Sequence, residues 1–420
     1  MNKFFLSALT LMGSASAAFA QDASLKQNPT NTGSATIGRI CAAEEVYQAQ
    51  LAADPARGQR MAAIEEQTRR YLAQPAFAQR AAGVIVTIPV VFHVLYNTAA
   101  QNVPQSQIDA QLKVLNDDFA RLNADAGNVP GIYAGVAAAT NVRFVLAKRT
   151  PTGAPTTGVI RKSTKTRSFS SNDAIKSSAR GGSDAWPAGQ YLNFWLGNLG
   201  NGLLGYAQFP GGAAATDGVV CLFSSVPGGT ATNYNGGRTA THEVGHWLNL
   251  RHIWGDATCG NDLVSDTPTQ STSNGGCPVF PKITCSNQGD MSMNYMDYTY
   301  DQCMNMFTAG QSGRMDALFT TGGARASLIT STGGTAPRQA LVAKASFYPN
   351  PAADVLNLSV PAGTAASDYT VRVYDLRGHE MTQVRHNGNG QVQVSALPKG
   401  LYYVAISNGA DVIRQRFEKE

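Results

Sequence analysis

Residues 242–252 read His-Glu-Val-Gly-His-Trp-Leu-Asn-Leu-Arg-His, and three of the chain's six histidines lie in that stretch. A zinc site that does chemistry takes three protein ligands and keeps a fourth position open for water. His242 and His246 are four apart, so on a helix they share one face. Glu243 lies beside the first; it is not needed as a ligand and is placed to act as general base on a water held by the metal. On a continuous helix His252 would point roughly 240° round the axis from His246. The helix must therefore break between them. Asn249 stands at that place, and after Gly it is the residue that best takes the left-handed conformation that ends a helix. A bare H-E-x-x-H arises by chance in roughly one chain per hundred of this length. The third histidine and the breaker sharpen it. The bland alternative is a set of histidines that caps a core helix or binds a structural zinc. A structural site would want a fourth protein ligand and gains nothing from Glu243.

Around this stretch lie 420 residues, enough for two or three domains. Charged residues make up only 15%, and the net charge is +5. No Lys/Arg cluster forms a nucleic-acid footprint. The start reads as an export signal over residues 1–20: Lys3, an apolar run from Phe4 to Phe19, and Ala18-Phe19-Ala20 before Gln21. No later segment reaches the roughly 20 apolar residues that a membrane span needs, and export permits disulfides. Residues 21–80 form a distinct leader, helical in pattern over 44–80, with Arg69-Arg70 and Arg80 near its end.

A folded domain is expected over 81–321. It opens on a buried strand at 84–95, followed by an amphipathic helix at 104–122 that sets Ile108, Leu112, Leu115 and Phe119 on one face. Further strands are expected at 142–148, 191–196, 203–209 and 219–226, the motif helix at 239–250 and a last helix at 309–319. A linker rich in Gly, Thr, Ser and Ala covers 322–340. Short alternating strands at 355–360, 370–375, 391–394, 401–406 and 412–417 then predict a small β-sandwich over 341–420.

The eleven-residue stretch is followed by Asn294-Tyr295-Met296-Asp297-Tyr298. A zinc helix of this form with a methionine turn some forty residues on resembles the metzincins. The wording HEVGHWLNLRHIWGD with NYMDY is similar to the pappalysin family and its bacterial members, over roughly 84–320. The resemblance implies an α+β fold, with a twisted mixed sheet and two long helices over an irregular lower subdomain, and an edge strand near 203–209 that pairs with an extended peptide substrate. It implies zinc on His242, His246 and His252, Glu243 as base, Met296 as the apolar floor, and Tyr298 as a donor to the oxyanion. The alternative for Tyr298 is a packed aromatic. Asn249 is the one departure from the family pattern in the zinc stretch.

Four cysteines in the loop-rich half allow three pairings that sequence cannot choose between; the resemblance suggests Cys259–Cys285 and Cys277–Cys303. Cys221 reads as a buried free thiol. Cys41 resembles the leader cysteine that some metzincin proenzymes place on the metal to stay latent; its rival reading is an inert thiol. Asp256, Asp262, Asp266 and Thr267 make an oxygen-rich loop, and the resemblance points to Asp262 and Thr267 as calcium ligands, with solvated acidic turns as the alternative. Asp301 stands where related enzymes floor the pocket for the residue after the scissile bond, which implies cleavage before Arg or Lys.

Residues 341–420, through FYPNP, VYDLRG, LPKGLYYV and VIRQRF, resemble the C-terminal sorting domain of type IX secretion. That implies the type IX machinery as a partner and a place outside the cell or on its outer surface. A carbohydrate- or protein-binding sandwich is the alternative, although no aromatic platform is evident from spacing. For the whole chain the expectation is a secreted zinc endopeptidase. A surface binder with a degenerate protease domain and a zinc hydrolase of non-peptide substrates are the rivals.

Overall fold

The computed structural model describes residues 38–74, 85–337, 345–361, 364–408 and 412–420. The expected signal peptide, the first part of the leader and Arg80 lie outside them. The leader begins with two helices, α1 (Ala43–Ala53) and α2 (Ala56–Leu72). The helical pattern expected as one run is broken at Asp54-Pro55, because proline lacks the amide that a helix interior needs.

The central sheet is built on β1 (Val86–Tyr96), whose residues from Ile88 to Leu95 are all buried. Strands β3 (Val142–Leu146) and β4 (Val159–Ser163) pair in parallel with its two halves, and β5 (Leu192–Gly197) pairs in parallel with its middle. β7 (Val219–Leu222) continues in parallel, and β6 (Gly205–Ala207) closes the edge antiparallel to β7. A strand covered on both faces must be apolar throughout, which is why β1 reads as a continuous run. The period of two then sends Phe194 to one core and Trp195 to another.

The first of these cores holds two helices, α3 (Gln105–Phe119) and α4 (Arg238–Trp247). From α3 come Ile108, Leu115 and Phe119, all buried, with Leu112 packed at the rim. Every residue of α4 after Arg238 is buried. Beyond α4 the chain carries no helix or strand until α5 (Ala309–Ala317), apart from a short turn at Asp301–Cys303, an isolated bridge at Asn294 and a two-residue pairing of β2 (Ala137–Ala138) with β8 (Phe307–Thr308). Bonds Cys259–Cys285 and Cys277–Cys303 staple this irregular half, in the pairing implied by the resemblance. Constraint of that kind limits the unfolded chain where regular structure is scarce.

The stretch expected as linker is largely packed up to residue 337. Arg325 forms an ion pair with Asp217 at 3.0 Å, Leu328 enters the main core, and the Gly333 carbonyl accepts from Lys148 N. Small polar composition hid those contacts. The C-terminal region is two sheets around their own core of Leu356, Val373, Val392, Val404 and Phe417. One sheet orders β12 (Arg385–His386), β13 (Gln391–Gln393), β10 (Val355–Ser359) and β9 (Ser346–Tyr348); the other orders β11 (Thr370–Tyr374), β14 (Gly400–Ser407) and β15 (Val412–Lys419). Among the described residues no helix is long and apolar enough to cross a membrane.

Candidate active site

α4 ends as expected at Asn249. Its φ is +68°, Asn249 N donates to the His246 carbonyl, and Leu250 N donates to the Gly245 carbonyl, both at 2.9 Å. These two bonds make a Schellman ending. The chain reverses there and carries His252 back, so that ligand atoms of His242, His246, His252 and Cys41 all lie within 4.8 Å of one another. Among the described residues this is the one such cluster of His, Cys, Asp and Glu.

Each imidazole is oriented through its far nitrogen. His242 Nδ1 donates to the Tyr295 carbonyl at 2.7 Å, His246 Nδ1 to the Leu250 carbonyl at 2.8 Å, and His252 Nδ1 to Asp256 Oδ1 at 2.6 Å. Carbonyls and carboxylates only accept, so each proton sits on Nδ1 and each Nε2 presents a lone pair. The Nε2 of His246 stands 3.1 Å from those of both His242 and His252. With no proton between them, three converging lone pairs repel unless a cation takes the centre. Nitrogens around a tetrahedral zinc would be about 3.3 Å apart. Burial, and next the neighbouring imidazoles, push His242 and His246 well below the usual histidine range, so both are neutral ligands. The donor set fits a metal. Trp254 stacks on His252 at 4.4 Å and a 7° tilt.

Glu243 lies beside this centre, 1% exposed. Burial raises its carboxyl to about 8, against lowering by the Cys41 hydrogen bond and the Arg39 charge. Gly205 on β6 leaves it room, since a Cβ there would fall 2.7 Å from Glu243 Oε1. Met296 is fully buried beneath the helix, and a Cβ on Gly245 would collide with its sulfur. The Tyr298 hydroxyl is 3.1 Å from His252 Nε2 and donates to the Cys41 carbonyl at 3.3 Å.

The leader crosses the site. Leu204 N donates to the Ile40 carbonyl at 2.9 Å and Ala42 N to the Gly205 carbonyl at 3.1 Å, so residues 40–42 run parallel to the edge strand. Cys41 Sγ contacts Glu243 Oε2 at 3.5 Å. Two residues earlier, Arg39 reaches Asp301 at 2.6 Å and Thr239 at 3.1 Å, with its guanidinium 5.1 Å from the Tyr234 ring centre. Asp301 is fixed from behind by the amides of Gly236 and Arg238, at 2.8 and 3.2 Å.

The oxygens of the expected calcium loop do not gather. Asp256 serves His252, and Asp266 holds the start of α5 through Thr308 and Gly310. Asp262 and Thr267 do meet, but bond to each other at 2.9 Å. Cys221 is buried and free. Sequence reasoning missed Asp256 as the orienter of His252, Arg39 as the partner of Asp301, and Asp118, which accepts from Thr241 and Tyr295 behind the site. The Asp256 signal was present: an acid four residues past a candidate ligand.

Three oriented imidazoles and a buried carboxylate at the edge of a mixed sheet define a metalloprotease. The family described as Pregnancy-associated plasma protein-A matches residues 176–320, and the Secretion system C-terminal sorting domain matches residues 346–420. An extracellular metalloprotease of Arthroderma benhamiae is 35% identical over 253 residues, covering 58% of this chain and 80% of its own. Mature mirolysin of Tannerella forsythia in complex with a cleaved peptide is 50% identical with a TM-score of 0.58, over 59% of this chain and 97% of that one. A promirolysin mutant from the same organism is 45% identical with a TM-score of 0.63, over 69% and 97%. The chain belongs to the pappalysin family of metalloproteases, and is a secreted metalloendopeptidase with a type IX sorting domain.

Proposed function

We propose that the protein is a zinc endopeptidase that cuts before Arg or Lys and is exported in a latent form. The observation that carries the reading is the convergence of three lone pairs, each fixed by an acceptor on the far side of its ring, next to a buried carboxylate. His242, His246 and His252 would hold the zinc. Bound zinc supplies Lewis-acid chemistry, polarising a carbonyl and making water acidic enough to lose a proton near neutral pH. Glu243 takes that proton and returns it to the departing amine, its carboxylate standing buried beside the three imidazoles. Tyr298 donates from its hydroxyl to the oxyanion, and Met296 holds the floor. The extended substrate pairs with β6, its basic side chain on Asp301.

Latency rests on Cys41 at the open metal position and Arg39 in the Asp301 pocket. Promirolysin, the longer of the two mirolysin forms, covers a larger share of this chain than the mature one, which supports a removable leader. The reading takes 1–20 as signal, 21–80 as propeptide cut near Arg69, Arg70 or Arg80, and the type IX machinery as the partner of the C-terminal sandwich. Calcium at Asp262 and Thr267 rests on the resemblance and on those two side chains alone.

The test is hydrolysis of a quenched peptide library by the processed chain, beside Glu243→Ala and a chelated sample. Cleavage before Arg or Lys, absent from both controls while Glu243→Ala keeps its metal, is expected. A folded, metal-loaded, processed enzyme without turnover would sink the reading.

A further inference from the structure

Beyond Cys41 the leader packs along the continuation of the edge strand. Tyr47 meets Phe209 edge-on at 5.7 Å, and Phe209 in turn lies 5.3 Å from the His246 ring. From α2, Arg57 donates to the carbonyls of Phe209 and Pro210 at 2.9 and 2.7 Å, and Arg60 donates to the Gly211 carbonyl at 2.8 Å. Arg57 is 1% exposed. Residues 209–211 therefore offer three successive backbone oxygens to guanidinium groups at one end of the cleft. Arg251 stands 5.9 Å from the Phe209 ring centre, and the site takes a buried cation in spite of it.

Direction decides what these oxygens do once the leader is gone. The leader runs parallel to β6, with Arg39 on Asp301 before Cys41 at the three histidines, and α1 and α2 after it. A substrate with its residue after the scissile bond on Asp301 must run the opposite way. Its upstream residues then pass Tyr206, Gln208 and Phe209. At about 3.3 Å per residue, a side chain roughly three to five residues before the scissile bond arrives at the carbonyls of 209–211.

We propose that the carbonyls of Phe209, Pro210 and Gly211 form a second cation subsite, which selects Arg or Lys on the upstream side of the substrate. This rests on the reading that Asp301 takes the residue after the scissile bond. Uncharged carbonyl acceptors recognise a cation by directed hydrogen bonds rather than by net charge. The leader fills both subsites at once, Arg39 in one and Arg57 in the other, with the chain reversed. A substrate with two spaced basic residues fills them in the productive sense.

The test uses the processed enzyme and peptides with Arg fixed after the scissile bond. Arg, Lys, norleucine or Glu is placed singly at each of six upstream positions. Norleucine keeps the apolar stem and removes the charge. Expected is a kcat/KM about tenfold higher for Arg or Lys than for norleucine at one or two positions, with Glu lower still. A spread under about twofold at every upstream position, with cleavage before Arg intact, overturns the subsite and leaves the Asp301 assignment standing. An enzyme that cleaves but not before Arg overturns both.

Discussion

The Arg39 guanidinium meets the Asp301 carboxylate at 2.6 Å with the two side chains only 1% and 5% exposed. A buried pair of this kind is costly to break one-sidedly, by about 3–5 kcal/mol, because the remaining charge is left without a partner. Asp301→Ala should therefore act on both forms of the chain. In the processed enzyme, kcat/KM for peptides cut before Arg should fall by roughly 100-fold, while peptides with an apolar residue there lose little. In the unprocessed chain Arg39 is stranded and the leader should be cut faster by a test protease. An unchanged Arg preference would remove Asp301 from the pocket.

The proposed latency gives Cys41 a part separate from that of Arg39. Burial pushes its thiol well above the usual range, so in the folded leader it loses its proton only to a cation beside it. Cys41→Ala leaves the Arg39–Asp301 pair and the pairing with β6 in place. The unprocessed variant should bind zinc and show a small turnover before any cleavage, limited by Arg39 and the β6 pairing that still fill the cleft, where the native unprocessed chain shows none. If the variant is silent until cut, the leader blocks the cleft by occupancy alone and the sulfur is dispensable.

Much of this arrangement was readable from local pattern. Spacing of four put His242 and His246 on one face, and the geometry of a helix demanded a break before His252 that Asn249 supplies. An apolar run predicts the buried strand at 84–95, found at 86–96, and the family resemblance implies the edge strand near 203–209, found at 205–207. Unreadable were contacts whose two halves lie far apart in sequence. Arg39 and Asp301 are 262 residues apart, and nothing local to either names the other. Asp256 was counted with oxygen-rich neighbours because composition records what a loop contains, not where each carboxylate points. Residues 322–337 looked like spacer because Arg325 and Leu328 are only two anchors among small residues.

Asn249 can be tested by what the backbone requires. At φ +68° a β-branched residue costs about 1–2 kcal/mol or more, whereas glycine is free of that strain. Asn249→Gly should keep zinc affinity and melt within a few degrees of the native chain, losing only the amide bond to Glu65 at 3.1 Å. Asn249→Val should lower the melting temperature and weaken zinc binding, because the turn that returns His252 is distorted. Equal zinc affinity in the two variants would mean that the turn does not govern His252.

Asp118 joins α3 to α4 and the turn at Met296, accepting from Thr241 at 2.7 Å, Tyr295 at 2.9 Å and Arg238 at 3.4 Å. Burial raises its carboxyl from 3.8 to about 6, although Arg238, Thr241 and Tyr295 each pull it down. A group raised on folding stabilises fully below its unfolded pKa, and that contribution is lost as pH climbs through the folded value. The native chain should therefore lose stability relative to Asp118→Asn as pH rises from about 4 to about 6, by roughly 2–3 kcal/mol at most, and the difference should be flat above about 7. Asp297, raised in the same way by burial, is present in both chains and cancels. Urea unfolding of the two proteins across this range reads the difference directly. A native chain that gains on the variant with rising pH would mean that Arg238 outweighs burial, and that Asp118 is held ionised behind the site.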